Sequence, residues 1–269
     1  PLREPELVAR VAAGLRRIGE VRRLHRRARD LELLYARQSD FLSLVSHEIR
    51  TPLTAILSSA NILMRYGGQR PDSVERFARV IHKEGQRLTR LINNLLDLAK
   101  IEAGQVEWRA ETVAVADLFE RVRESFSALT GERQVRLEVD GGGAGELRAD
   151  ADKLTQVLLN LLSNAVKYSP DGATVRLRAR RGEGETVRLE VEDEGAGIPP
   201  GMEERVFERF AQLEAGDERG GSGLGLTICR EIVEHHGGRV WAEPGRAAGA
   251  LFIVELPRQA AFEAGDGPA

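Results

Sequence analysis

Between Leu24 and Ile49 the apolar residues fall at Leu24, Ala28, Leu31, Tyr35, Leu42, Val45 and Ile49, with Gln38 the one polar member of the series. These alternating steps of three and four residues form the seam of a coiled coil, so the chain needs a long helix that meets another along one side. Val11, Leu15 and Ile18 keep a different phase, which interrupts the seam near residues 18–24, as at a stutter or a domain junction. Downstream, Pro52 is expected to kink or redirect the helix, Gly67 and Gly68 to end it, and Pro71 with Asp72 to start another. That second helix carries Val74, Phe77, Ile81, Leu88, Ile92, Leu95 and Leu98 on one stripe. Two such helices make a hairpin with an apolar stripe left open. One hairpin cannot cover that stripe and two can, which predicts a homodimeric four-helix bundle headed by a coiled coil.

A length of 269 residues suits two domains. After Ile101 the run E-A-G-Q breaks the helical pattern, with Gly104 as a helix C-terminal residue. Alternating segments at 135–139, 175–177, 187–191 and 252–256 then mix with helical stretches at 115–127, 152–168 and 223–235. That mixture predicts an α/β two-layer sandwich. The Ala/Gly-rich tail, 258–269, is expected to be disordered.

Charge and cysteine content narrow the function classes. A formal net charge of -3 makes no electrostatic case for nucleic acid. The arginines at 16, 17, 22, 23, 26, 27 and 29 have no interleaved aromatics and read as a solvated helical face. A single cysteine, Cys229, excludes an intramolecular disulfide and fits a reducing compartment, so a cytoplasmic location is expected. No stretch approaches the roughly 20 apolar residues of a membrane span.

Four clusters carry chemistry. Residues 41–54 read F-L-S-L-V-S-H-E-I-R-T-P-L-T, and His47 points away from the seam. Neutral imidazole is a nucleophile, and Glu48 beside it can hold the useful tautomer or accept the proton. Residues 158–170 read L-L-N-L-L-S-N-A-V-K-Y-S-P, which puts Asn160 and Asn164 on one helical face with Lys167 a turn on and Tyr168 beside it. An amide oxygen is a hard ligand suited to Mg²⁺, and Lys167 adds positive charge. Residues 193–199 read D-E-G-A-G-I-P after a strand-like run; Asp193 can accept from an adenine amino group, and Gly195 and Gly197 let the backbone approach closely. Residues 220–226 read G-G-S-G-L-G-L, so that Gly221, Gly223, Leu224 and Gly225 open a helix whose free N–H groups make an anion cradle. No strand precedes these glycines and no G-K-[ST] follows, which excludes a dinucleotide fold and a P-loop.

In this order the four clusters closely resemble the H-box, N-box and two glycine motifs of sensor histidine kinases, and the resemblance covers about residues 38–257. The run V-F-E-R-F at 206–210 resembles the family's F-box, and 215–221 its lid over ATP. The resemblance implies that His47 is the phosphoacceptor, with Glu48 its proton partner. Asn164 would be the direct Mg²⁺ ligand, supported by Asn160, and Arg209 is a candidate charge for the transferred phosphate. Phe210 joins the nucleotide site. The H-E-x-x-T pattern also resembles members that dephosphorylate their partner, with Thr51 positioning a water.

Implied cofactors are ATP and Mg²⁺, and the implied partner is the receiver domain of a response regulator. The nucleotide half alone also resembles gyrase B, MutL and related ATPases, which lack an H-box. Residues 1–17 resemble the last helix of a receiver domain, with an ordinary signalling helix descending from another sensor module as the competing reading. The expected layout is therefore a receiver end at 1–17, a signalling helix at 18–40, the dimerisation and phosphotransfer domain at 41–104 and the catalytic domain at 105–257.

Overall fold

A computed structural model describes residues 25, 29, 39, 41–65, 71–130, 134–211, 223–245 and 249–259. The expected receiver end and most of the signalling helix lie outside these residues. The chain divides into two compact units within its second helix, Pro1–Ile81 and His82–Ala269.

In the first unit, helix α1 occupies 41–65. Pro52 does not end it: the helix runs through that position, with the proline itself buried. A mid-helix proline deprives the carbonyl four residues back of its donor. Nearby, the Ser46 hydroxyl donates to Leu42 O (2.8 Å) and the Thr51 hydroxyl to His47 O (3.2 Å). Helix α2, Pro71–Glu102, starts at the expected proline. It ends where Gly104 N–H donates to Ile101 O (3.0 Å) and Gln105 N–H to Lys100 O (2.8 Å), closing off the last carbonyls.

Burial corrects the single stripe expected on α2. Leu91 and Leu98 are buried at 3% and 1% exposure, whereas Ile92 and Leu96, one turn apart, stay 43% and 55% exposed. On α1, Leu42, Leu53, Leu57 and Met64 are likewise exposed and share one face. His47 lies well round the helix from them.

In the second unit a five-stranded sheet has the order β2-β4-β5-β7-β6. Its strands are β2 Arg136–Asp140, β4 Thr174–Arg181, β5 Thr186–Glu192, β6 Arg239–Pro244 and β7 Ala250–Pro257. Among the described residues of this sheet, only β2 and β4 pair in parallel. Short strands β1 (Glu111–Ala114) and β3 (Glu146–Ala149) form a separate antiparallel pair. Helices α3 (Val115–Thr130), α4 (Ala151–Tyr168) and α5 (Gly225–His235) cover one sheet face.

The alternation that announced β4 and β5 sends Val175, Leu177, Val187, Leu189 and Val191 into the core against Leu158, Leu161, Leu162, Ile228 and Ile232. The other face is an ion-pair ladder. Arg178 meets Glu192 (2.7 Å), Arg180 meets Glu190 (3.7 Å), and Arg188 and Arg239 both meet Glu255 (2.8 and 3.0 Å). The chain stays ordered past the expected start of the tail: Arg258 donates to Glu146 O (2.7 Å) and Ala144 O (2.6 Å).

Helix α4 begins where Asp150 caps it by accepting from Lys153 N–H (3.0 Å), and it ends before Pro170. The other Asp150 oxygen accepts from Arg109 N–H (2.9 Å), and Asp150 N–H donates to His236 Nε2 (3.1 Å). His236 Nδ1–H donates to Ile232 O (2.7 Å), so both ring nitrogens are engaged as a neutral imidazole. Trp108, on the segment leading out of α2, stacks on His235 (3.8 Å between ring centroids) and sits edge-on to His236 (5.7 Å).

Burial pushes the His236 pKa below the ordinary histidine value, with smaller opposing effects from Ile232 O and Asp150. The unfolded chain therefore takes up a proton near pH ~6.5 that the native state resists, and stability falls as pH drops below that point. Melting temperature is expected to fall between pH 7.5 and 5.5, with a shallower slope in His236→Gln. An unchanged slope in that variant would assign the pH dependence to other groups.

Candidate functional site

Two loci carry the chemistry, one in each unit. In the first, His47 projects from α1 with its side chain 69% exposed, while Glu48 is only 15% exposed. Glu48 Oε1 lies 3.9 Å from His47 Nδ1, so the carboxylate attends the inner ring nitrogen and Nε2 is the outer one. Thr51 sits one turn on, its hydroxyl donating to the His47 carbonyl. A hydroxyl that donates its proton to backbone keeps lone pairs for another donor, such as water.

In the second unit the sites expected at α4, the end of β5 and the start of α5 converge. Asn160 Nδ2 donates to Gly225 O (3.4 Å), which ties α4 to the first residue of α5. One turn on, the half-buried Asn164 amide has no partner among the described residues, leaving its oxygen available as a ligand. Lys167 Nζ donates to Tyr168 OH (2.6 Å) and lies 4.3 Å from the Tyr168 ring centroid. Helix α5 opens at Leu224 without a side-chain cap, which leaves first-turn N–H groups for an anion.

Asp193 is 4% exposed and follows directly on β5. Its Oδ1 accepts from Gly195 N–H (2.8 Å) and Ala250 N–H (3.1 Å), and the second oxygen is outside this pair of bonds. Burial pushes the Asp193 pKa above the usual carboxylate value, and the two amides pull it back. Any side chain at Gly195 would place its Cβ 2.7 Å from Tyr168 O, so the turn that carries Asp193 fits against the end of α4 only as glycine. Gly197 completes that turn beside Gly249.

The F-box segment closes the locus from another side. Phe207 lies in a short 3-10 turn, Arg205–Phe207, and Phe210 adopts a left-handed backbone (φ 58°). Phe210 N–H donates to Gly223 O (2.9 Å), and a Cβ at Gly223 would come within 2.5 Å of Phe210 Cα. The buried Thr227 hydroxyl donates to Phe207 O (3.1 Å). Sequence reasoning passed over Thr227, although a threonine one turn inside the glycine-led helix was the signal. Arg209, expected to face a phosphate, pairs with Glu102 at the end of α2. Gly221 and the expected lid at 215–221 lie outside the described residues.

Cys229 is buried on α5, its thiol donating to Val157 O (3.6 Å). Burial pushes its pKa up to about 12, which leaves a protonated, unreactive thiol that serves as core.

A helical hairpin followed by a sandwich with amides, an acidic-glycine turn and an uncapped helix at one edge defines a nucleotide-binding protein with a histidine on a separate helical unit. Residues 37–104 match the family described as His Kinase A (phospho-acceptor) domain, and 149–260 match Histidine kinase-, DNA gyrase B-, and HSP90-like ATPase. The chain carries, in this order, the phospho-acceptor domain and the ATPase domain that these two families describe. Its relatives include the circadian input-output histidine kinase CikA of Synechococcus elongatus, 36% identical over 85% of this chain and 31% of CikA. Sensor histidine kinase WalK of Bacillus subtilis is 36% identical over 81% of this chain and 36% of its own.

Among solved structures, full-length ShkA in complex with AMPPNP superposes with a TM-score of 0.60 at 29% identity, covering 84% of this chain and 47% of ShkA. Histidine kinase ThkA in complex with response regulator protein TrrA gives 0.64 at 25%, covering 81% and 61%. The chain thus spans about a third of the length of the curated relatives it matches. Among the described residues no helix is long and apolar enough to cross a membrane.

Proposed function

We propose that this chain is the cytoplasmic core of a two-component sensor kinase that moves the terminal phosphoryl group of ATP to His47 and then to an aspartate of a response regulator. The observation that carries the reading is the pairing of an exposed histidine, attended by Glu48 at Nδ1, with a separate unit in which Asn164 and Asp193 present unclaimed oxygens at one edge. The relatives' printed names and the ThkA complex with TrrA support the kinase and its regulator partner.

Asp193 accepts from the adenine amino group with the oxygen that the two amides leave open. The first turn of α5 and Lys167 hold phosphate oxygens, and the Asn164 oxygen suits Mg²⁺. Bound Mg²⁺ would offset the charge of the phosphates. Glu48 favours the tautomer with its proton on Nδ1, which leaves the Nε2 lone pair as the nucleophile. Positioning and electrostatics supply most of the catalysis. Arg209 is proposed to stabilise the transferred group once it leaves Glu102, and Thr51 to hold a water for dephosphorylation of the regulator.

The exposed faces Leu42–Leu53–Leu57–Met64 on α1 and Ile92–Leu96 on α2 support a homodimer, since each is apolar surface that a second hairpin covers. The expected domain boundaries stand as part of the proposal, with a receiver end at the amino terminus. The test is a pulse with ATP labelled on its terminal phosphate followed by a receiver domain. Label leaving this chain as it appears on the receiver aspartate fits the proposal, and a chain that hydrolyses ATP without ever carrying label contradicts it.

A further inference from the structure

Three carboxylates in a row, Glu192, Asp193 and Glu194, lie at the last residue of β5 and just past it, and their side chains go to alternate sides. Asp193 turns inward to its two amides. Glu192 turns to the ladder face and meets Arg178 (2.7 Å). Glu194 also faces the ladder side, and its two oxygens do different work: Oε1 meets Arg176 Nη2 (2.9 Å), while Oε2 accepts from the backbone N–H of Thr174 (3.0 Å). Arg176 is in turn tied to Glu138 on β2 (3.2 Å).

Register makes the Thr174 bond informative. Arg176 lies opposite Glu192 in the β4–β5 ladder, so Glu194 falls opposite Thr174, the first residue of β4. The β5 strand has already ended there, and a side-chain carboxylate takes an amide that a backbone carbonyl would otherwise hold. The turn after Asp193 contains two glycines and has little stiffness of its own. It is also packed without slack, since Gly195 backbone sits against Tyr168 O. From outside the turn, Ala250 N–H holds one Asp193 oxygen, and Glu194, the next residue, is fastened to β4.

We propose that Glu194 is a positioning residue for adenine recognition, which fixes the aim of Asp193 by fastening the 193–197 turn to the first amide of β4. This rests on the nucleotide reading above. The Thr174 amide and then Arg176 hold the Glu194 carboxyl below its ordinary range, so it stays an acceptor through neutral pH. With Arg178 and Arg176 taking the charges on either side, Asp193 keeps, among the described residues, two neutral amide donors on one oxygen.

A surface ion pair that merely steadies the sheet would affect all nucleotides alike. An aimed carboxylate favours adenine, which offers an amino hydrogen, and repels the guanine carbonyl oxygen at the same position. The test is calorimetric titration of the full chain with ADP and with GDP. Glu194→Ala is expected to shrink the ratio of ADP to GDP affinity by about tenfold, the size of one hydrogen bond to a charged group. Glu194→Gln, which keeps an oxygen for Thr174 N–H, is expected to recover most of it. An unchanged ratio in Glu194→Ala, or an equal loss for both nucleotides in the two variants, would overturn the inference. Wild type that binds neither nucleotide would instead overturn the nucleotide reading itself.

Discussion

Asn164→Ala is expected to cut labelling of the chain from ATP by about a hundredfold or more, the cost typical of losing one donor that acts on transferring charge. Asn164 is half-buried, lies one turn beyond the residue that ties α4 to α5, and has no partner among the described residues. Truncation therefore breaks no hydrogen bond among those residues, and melting temperature should change little. The loss should also depend on metal. Mg²⁺ is expected to strengthen ATP binding in wild type, and that increment should disappear in the variant. A variant that labels normally, or that keeps its Mg²⁺ response, would remove Asn164 from the site.

Asp193→Asn should weaken ATP binding by about a hundredfold while leaving labelling chemistry intact in the fraction that binds. The Gly195 and Ala250 amides both donate to one Asp193 oxygen, so an asparagine there must turn its own oxygen toward them. Its NH₂ then takes the place of the open carboxylate oxygen and faces the adenine amino group donor to donor. A lost bond to a charged group is worth roughly 1.5–3 kcal/mol before that repulsion is added. Calorimetry with ADP checks the size, and an affinity within about threefold of wild type would show that adenine is read elsewhere.

Long periodic elements could be read directly from the residues. The start of α2 at Pro71, most of α4, and the strands β4, β5 and β7 stood out as a proline signal or as periodic or continuous apolar runs. The short strands β1, β3 and β6 did not. β1 buries only Val113, and β6 only Ala242 among six residues, so neither carries a pattern of its own. Their registers come from partners that no local window contains.

The site shows the same division. His47, Asn164 and Asp193 belong to compact motifs whose residue types already imply the chemistry. What holds them is long-range: the bond from Asn160 to Gly225, the close fit of Gly195 to Tyr168, and the amide of Thr174 held by Glu194. The arginines that answer Glu192 and Glu194, Arg178 and Arg176, sit on another strand, which no local window contains. The Asp150–His236–Trp108 cluster was equally hidden, because its members are far apart in the chain.

The most direct test incubates the chain with ATP labelled on its terminal phosphate, beside His47→Gln. His47 is exposed, so the substitution should not disturb folding. The account predicts label on wild type alone, lost in acid and stable in base, as a phosphorus–nitrogen bond requires. Equal label on the His47→Gln chain, or label stable in acid, would contradict His47 as the acceptor.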